Sequence, residues 1–94
     1  HGCRQHARLY DHGTGWTQLA EQQGFAVLAP EQTRANNAYG CFNWFDPAQV
    51  TRGQGEVASI ANAVRAMVAT HGLDPRRVFV TGLSAGGAMA AALL

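Results

Sequence analysis

The chain has 94 residues, of which 47% are hydrophobic and 14% charged, with a formal net charge of +1 at pH 7. This composition allows one small globular domain at most and excludes a basic nucleic-acid arm or an acidic tail. No apolar run approaches the roughly 20 residues that span a bilayer, and no charged-then-apolar leader opens the sequence.

The sequence starts on His1-Gly2-Cys3, without an initiator Met, and has the look of a loop cut from a preceding strand. Residues 14–23 are expected to form the first helix: Thr14 can cap it, Trp16, Leu19 and Ala20 share a face, and Gly24 can end it. Phe25 to Ala29 is a continuous apolar run closed by Pro30. A run without alternation suits a strand buried on both faces, as in a parallel sheet. Residues 31–53 are rich in Asn, Gln, Gly and aromatics and hold no clear period. A loop of that length is more often functional than idle.

Residues 54–71 carry the strongest helical pattern, with Val57, Ile60, Ala61, Val64, Met67 and Val68 at spacings of three and four. His71 sits at the negative end of that helix and Gly72 can close it. Asp74-Pro75 turns the chain, and Val78 to Thr81 is expected to be a second buried strand. The last stretch, Ala88 to Leu94, is apolar helix with no closing cap. Helix, strand, helix, strand, helix predicts an α/β fold built on a mainly parallel sheet with helices on both faces. The two abrupt ends lead to the expectation that residues 1–94 are an internal piece of a single catalytic domain.

The residues that carry chemistry follow the second run. Gly82-x-Ser84-x-Gly86 matches a nucleophile elbow, in which a strand enters a turn so tight that the serine adopts a strained backbone and its hydroxyl stands clear. Flanking glycines avoid collisions inside the turn, and the helix that follows aims its positive end where an oxyanion would form. The five-residue pattern alone is weak. A buried-type strand before it and a small-residue helix after it, with Gly87, Ala88 and Ala90, make it specific. In the α/β-hydrolase fold, the loop after an earlier strand adds a second backbone donor, and His1-Gly2-Cys3 stands where such a loop belongs. The expected donors are the N–H groups of Cys3 and Ala85, with Ser84 as nucleophile.

Two cysteines, Cys3 and Cys41, are too few for a disulfide-dense scaffold and lack the paired spacing of a zinc site, which leaves one disulfide or two free thiols. No metal or organic cofactor is implied.

The chain resembles the esterase family of poly(3-hydroxybutyrate) depolymerases, which is related to feruloyl and acetylxylan esterases. The segments that carry the resemblance are His1-Gly2-Cys3, Gly24 to Gln32, Arg34-Ala35-Asn36-Asn37, Cys41-Phe42-Asn43-Trp44-Phe45, and Asp74 to Gly87. The resemblance implies a partial α/β-hydrolase fold and an exported carboxylesterase with a Ser-His-Asp triad. Its substrate would be a hydroxyalkanoate polyester or a short-chain ester. A feruloyl or acetylxylan esterase on the same scaffold, or a hydrolase-fold remnant without catalysis, are the competing readings. No nucleic-acid or membrane partner is implied. For a protein exported in this way, a disulfide between Cys3 and Cys41 is expected.

In that fold the acid and the histidine follow the serine, yet the ten residues after Ser84 include no Asp, Glu or His. The triad is therefore incomplete within this sequence. His1 belongs to the oxyanion loop, His6 and His12 fall in polar sequence ahead of the first helix, and His71 ends a helix. Asp11 and Asp46 have no assigned role; Glu56 suits a helix start and Asp74 a turn. Tyr39, Phe42, Trp44 and Phe45 are either core anchors of the long loop or the lining of an acyl cleft, with Trp44 the preferred wall. Asn43 either holds the loop or bonds substrate. Met67 and Met89 are expected in the core.

Overall fold

A computed structural model describes all residues 1–94. It contains five helices: α1 (Ala7–Thr14), α2 (Trp16–Gln23), α3 (Pro47–Val50), α4 (Gly55–His71) and α5 (Ala85–Leu93). None of them is long and apolar enough to cross a membrane.

The core forms where the long loop meets the last three helices. Phe42 from the loop, Val57 from α4 and Met89 from α5 are buried together, with Val50, Ile60, Ala92 and Leu93 packed around them. Met89 is the most deeply buried large side chain, whereas Met67 is half-buried. Burying an aromatic side chain such as Phe42 contributes on the order of 2–3 kcal/mol. The apolar stripe of α4 thus gains a partner that comes from a loop. Asp46 caps the short α3 by accepting from the Ala48 N–H at 2.9 Å, with Pro47 in the first turn.

The structure corrects the expected α/β fold. The chain is all helical and contains no strand and no sheet. No backbone hydrogen bond joins the run Phe25–Ala29 to the run Val78–Thr81. A ladder is a property of two paired segments, and an apolar run by itself reports burial tendency alone. Both runs are largely solvent-exposed instead, Phe79 reaching 86% exposure.

The first helix also differs from its expected bounds. Residues 14–23 do not make one element: α1 ends at Thr14, Gly15 turns left-handed at φ 76°, and α2 starts at Trp16. Thr14 caps nothing, because its hydroxyl donates back to the Tyr10 carbonyl at 2.8 Å. Asp11 takes its place, its carboxylate accepting from the Thr17 N–H at 2.8 Å across the Gly15 turn. His6 and His12 belong to α1, as its N-cap and in its last turn. In the long loop, α3 interrupts what was expected to be irregular throughout.

Hydrogen bonding from the Thr17 side chain, and then from its backbone N–H, holds the Asp11 carboxyl below its ordinary value of 3.8. A carboxylate with a lowered pKa stabilises above that ordinary value and loses its contribution as pH falls through the lowered one. Asp11→Ala is therefore expected to lower the Tm by more at pH 7 than at about pH 3, below the ordinary value, where the carboxylate's contribution begins to shrink. An equal Tm difference at both pH values would refute the cap.

Candidate active site

Ser84 stands immediately before α5 with φ 55° and ψ −122°, a backbone conformation that a side-chain-bearing residue seldom adopts. Its residue is exposed and its hydroxyl makes no capping bond to the helix. The tight turn depends on missing side chains. A Cβ on Gly82 would lie 2.3 Å from the Gly86 carbonyl oxygen, and one on Gly86 would lie 2.5 Å from the carbonyl oxygen of His1. Neither neighbour is a flexible side chain that could move aside, so the elbow and the approach of the N-terminal loop both require glycine.

That approach brings two expected parts of the site together. The position of a Cβ on Gly2 would be 3.4 Å from the Ser84 Cβ. His1-Gly2-Cys3 therefore runs directly over the first turn of α5. No main-chain acceptor takes the N–H of Cys3 or that of Ala85. Arg4, the next residue, has φ 60°, and its N–H donates to the Tyr39 carbonyl at 2.8 Å. Its guanidinium lies over the Tyr39 ring, 5.5 Å from the centroid.

The loop is held by bonds that spacing in the sequence did not announce. His1 is buried; its Nδ1 donates to the Gly2 carbonyl at 2.8 Å and its Nε2 accepts from the Gln32 N–H at 3.1 Å. These two bonds together assign the neutral Nδ1–H tautomer. The ring packs on Phe42 with centroids 4.9 Å apart. The Gln5 side chain accepts from the Gly2 N–H at 2.7 Å. Cys3 and Cys41 are joined by a disulfide with a sequence separation of 38.

The aromatic loop divides its residues between two tasks. Phe42 is core, while Trp44 is 50% exposed and packs edge-on against Phe45 with centroids 5.8 Å apart. The Asn43 amide is engaged inside the protein: its Oδ1 accepts from Asn37, and its Nδ2 donates to the Asn36 carbonyl and to Glu56. A polar hollow of about 250 Å³ lined by Asn36, Asn43, Gln49, Gly55, Glu56 and Ser59 adjoins it, and Ser84 has no part in that lining.

A family model described as esterase PHB depolymerase matches residues 1–94. The chain belongs to this family. Its relatives include poly(3-hydroxyalkanoate) depolymerase C of Paucimonas lemoignei, 51% identical over 89 residues that cover 95% of this chain and 21% of that protein. Acetylxylan esterase A of Talaromyces purpureogenus is 36% identical over 90 residues, covering 95% of this chain and 23% of that protein. Poly(3-hydroxybutyrate) depolymerase of Ralstonia pickettii is 35% identical over 98 residues, covering 95% of this chain and 20% of that protein. The chain thus spans between a fifth and a quarter of the length of these relatives. The resemblance read from the His-Gly-Cys, Cys-Phe-Asn-Trp-Phe and Gly-x-Ser-x-Gly segments names the same family.

Closing a loop between Cys3 and Cys41 stabilises by roughly 4 kcal/mol in the chain-entropy model. Reduction is expected to lower the denaturant midpoint accordingly, and a non-reduced digest should yield one peptide pair containing both cysteines. Free thiols at both positions in the native protein would contradict the bond.

Proposed function

We propose that this family member is a serine esterase and that Ser84 is its nucleophile. The observation that carries the reading is the Ser84 backbone at positive φ, with Gly2 against its Cβ and the Cys3 and Ala85 N–H groups left without acceptors. A hydroxyl held clear of its helix meets the geometric need of a nucleophile. Two unpartnered backbone donors on adjoining segments meet that of an oxyanion hole.

In the proposed reaction a histidine outside residues 1–94 takes the Ser84 proton as Oγ attacks the ester carbonyl. The Cys3 and Ala85 N–H groups hold the tetrahedral oxyanion, each such donor being worth roughly 3–4 kcal/mol in comparable sites. The alcohol leaves, and water cleaves the acyl-enzyme. Residues 1–94 then form part of one catalytic domain that extends beyond them and contains the acid and the base. No cofactor enters the reaction.

The substrate class follows the relatives. A hydroxyalkanoate polyester or a short-chain ester is favoured by the 51% identity to a poly(3-hydroxyalkanoate) depolymerase. An acetylxylan esterase is the second reading, carried by a 36% identity over the same span. The Cys3–Cys41 disulfide suits an exported protein, because such bonds persist in oxidising compartments. The exposure of Trp44 supports its placement as a wall of the acyl cleft. The bonds of the Asn43 amide favour a role in holding the loop over one in bonding substrate.

Two experiments test the reading on the full-length protein. Ser84→Ala is expected to lower turnover of a p-nitrophenyl ester by several orders of magnitude with an unchanged circular dichroism spectrum, since the members of a triad act as a unit. Retained turnover would end the assignment. Trp44→Ala is expected to raise KM for bulky or polymeric esters more than for acetate esters, with no change in Tm. A uniform rise with a lowered Tm would make Trp44 a packing residue only.

A further inference from the structure

We infer that Glu56 is a positioning residue for the proposed hydrolysis, holding both the oxyanion loop and the aromatic loop through one carboxylate. The inference rests on the serine-esterase reading above. In the sequence Glu56 has a simpler role, as an acidic residue in the first turn of α4, where the helix dipole favours it. The structure gives it three donors. Its Oε1 accepts from the Asn43 N–H at 2.9 Å, and its Oε2 accepts from Gln32 Nε2 at 3.0 Å and from Asn43 Nδ2. Gln49 in turn receives the Glu56 N–H at 3.0 Å, which ties the start of α4 to α3.

Two routes lead from this carboxylate to Cys3, and both pass through Gln32. In the first, the Gln32 N–H donates to His1 Nε2, and the residue after His1 lies against Ser84. In the second, Gln32 Nε2 also donates to the Cys41 carbonyl at 3.0 Å, and Cys41 is covalently bonded to Cys3. A third connection is direct, since Asn43 precedes Trp44 in the chain. Glu56 therefore fixes the peptide that carries one proposed oxyanion donor and the residue proposed to wall the cleft. A misplacement of about 1 Å in such a donor can cost on the order of a hundredfold in rate.

The chemistry of the network requires a carboxylate. Donors converge on both oxygens, and a carboxylate offers acceptor sites on both with no proton of its own to place. In Glu56→Gln one oxygen becomes an NH₂, and either orientation of that amide turns a donor toward Asn43 or Gln32. The variant is nearly isosteric, so it removes charge and acceptor capacity and leaves shape.

The test uses the full-length protein with p-nitrophenyl acetate, well below the Tm of every variant. Glu56→Gln is expected to lower kcat roughly ten- to a hundredfold with KM for acetate within about twofold. Inhibition by phenylboronic acid, which forms a tetrahedral adduct on a nucleophilic serine, should weaken in parallel. Val57→Ala, one residue away in the core, serves as the stability control and should lower Tm while leaving kcat within about twofold. Gln32→Leu breaks the same two routes at their shared residue. It should lower kcat in the same direction, and the double variant should fall short of the product of the two single effects. If Glu56→Gln does not fold, the kcat of Gln32→Leu with the boronate series decides the matter. An unchanged kcat in Glu56→Gln, or in Gln32→Leu where that variant decides, overturns the inference. So does an equal kcat loss in Val57→Ala. With Ser84→Ala inactive, either result leaves the serine-esterase reading standing. Retained turnover in Ser84→Ala would instead remove that reading, and this inference with it.

Discussion

The contact on which the site depends is main chain against main chain. The His1–Gly2 peptide lies on the first turn of α5 so closely that Gly86 has no room for a Cβ. Bare backbone there lets the N-terminal loop come down beside Ser84, and the same lack of a side chain at Gly82 lets the elbow close beneath it. Without that proximity, the Cys3 and Ala85 N–H groups would belong to separate parts of the molecule. Two residues at positive φ, Arg4 and Ser84, flank the contact on either chain segment. Strain of this kind persists only where the surroundings over-determine it. Here the surroundings are the buried His1, the disulfide and the bonds of Gln32.

A second level of organisation supports the first. The core of Phe42, Val57 and Met89 joins the aromatic loop to α4 and α5, which also pack on each other. His1 then packs its ring on Phe42, so the apolar core and the polar network share a wall. The residue that the two have in common is Phe42, so its loss would be felt in both.

How much of this was legible in the sequence depended on whether the signal was local. The helix over 54–71 was read almost to the residue, because the period of its apolar positions and its closing Gly72 are local features. The start of α5 at Ala85 was likewise legible from the elbow pattern. The sheet was not: continuous apolar runs suit buried strands, yet pairing depends on a partner that no local pattern specifies. The split at Gly15 was not legible because Trp16, Leu19 and Ala20 all lie beyond it and report only the helix that starts at Trp16, not the one that ends at Thr14. Of the residues proposed for the site, Ser84 carries a motif and Cys3 stands in a loop that the family resemblance points to. Gln32 and Glu56 had no motif of their own, since the bonds that tie them to His1, Cys41, Asn43 and each other span 9 to 31 residues of chain.

The donors proposed beside Ser84 belong to the backbone, and this separates chemistry from residue identity. The Cys3 side chain serves a crosslink and the Ala85 side chain is buried at 3% exposure, while the N–H that each would offer to an oxyanion is common to nearly every amino acid. Substitution at these two positions is therefore filtered by bridging and by space, and the proposed catalytic group passes through unchanged. A side-chain scan would find the two positions important for reasons unrelated to the donor. Among the twenty residues only proline deletes the group itself, so the part of the proposed site that would hold the oxyanion is also the part least written in side chains.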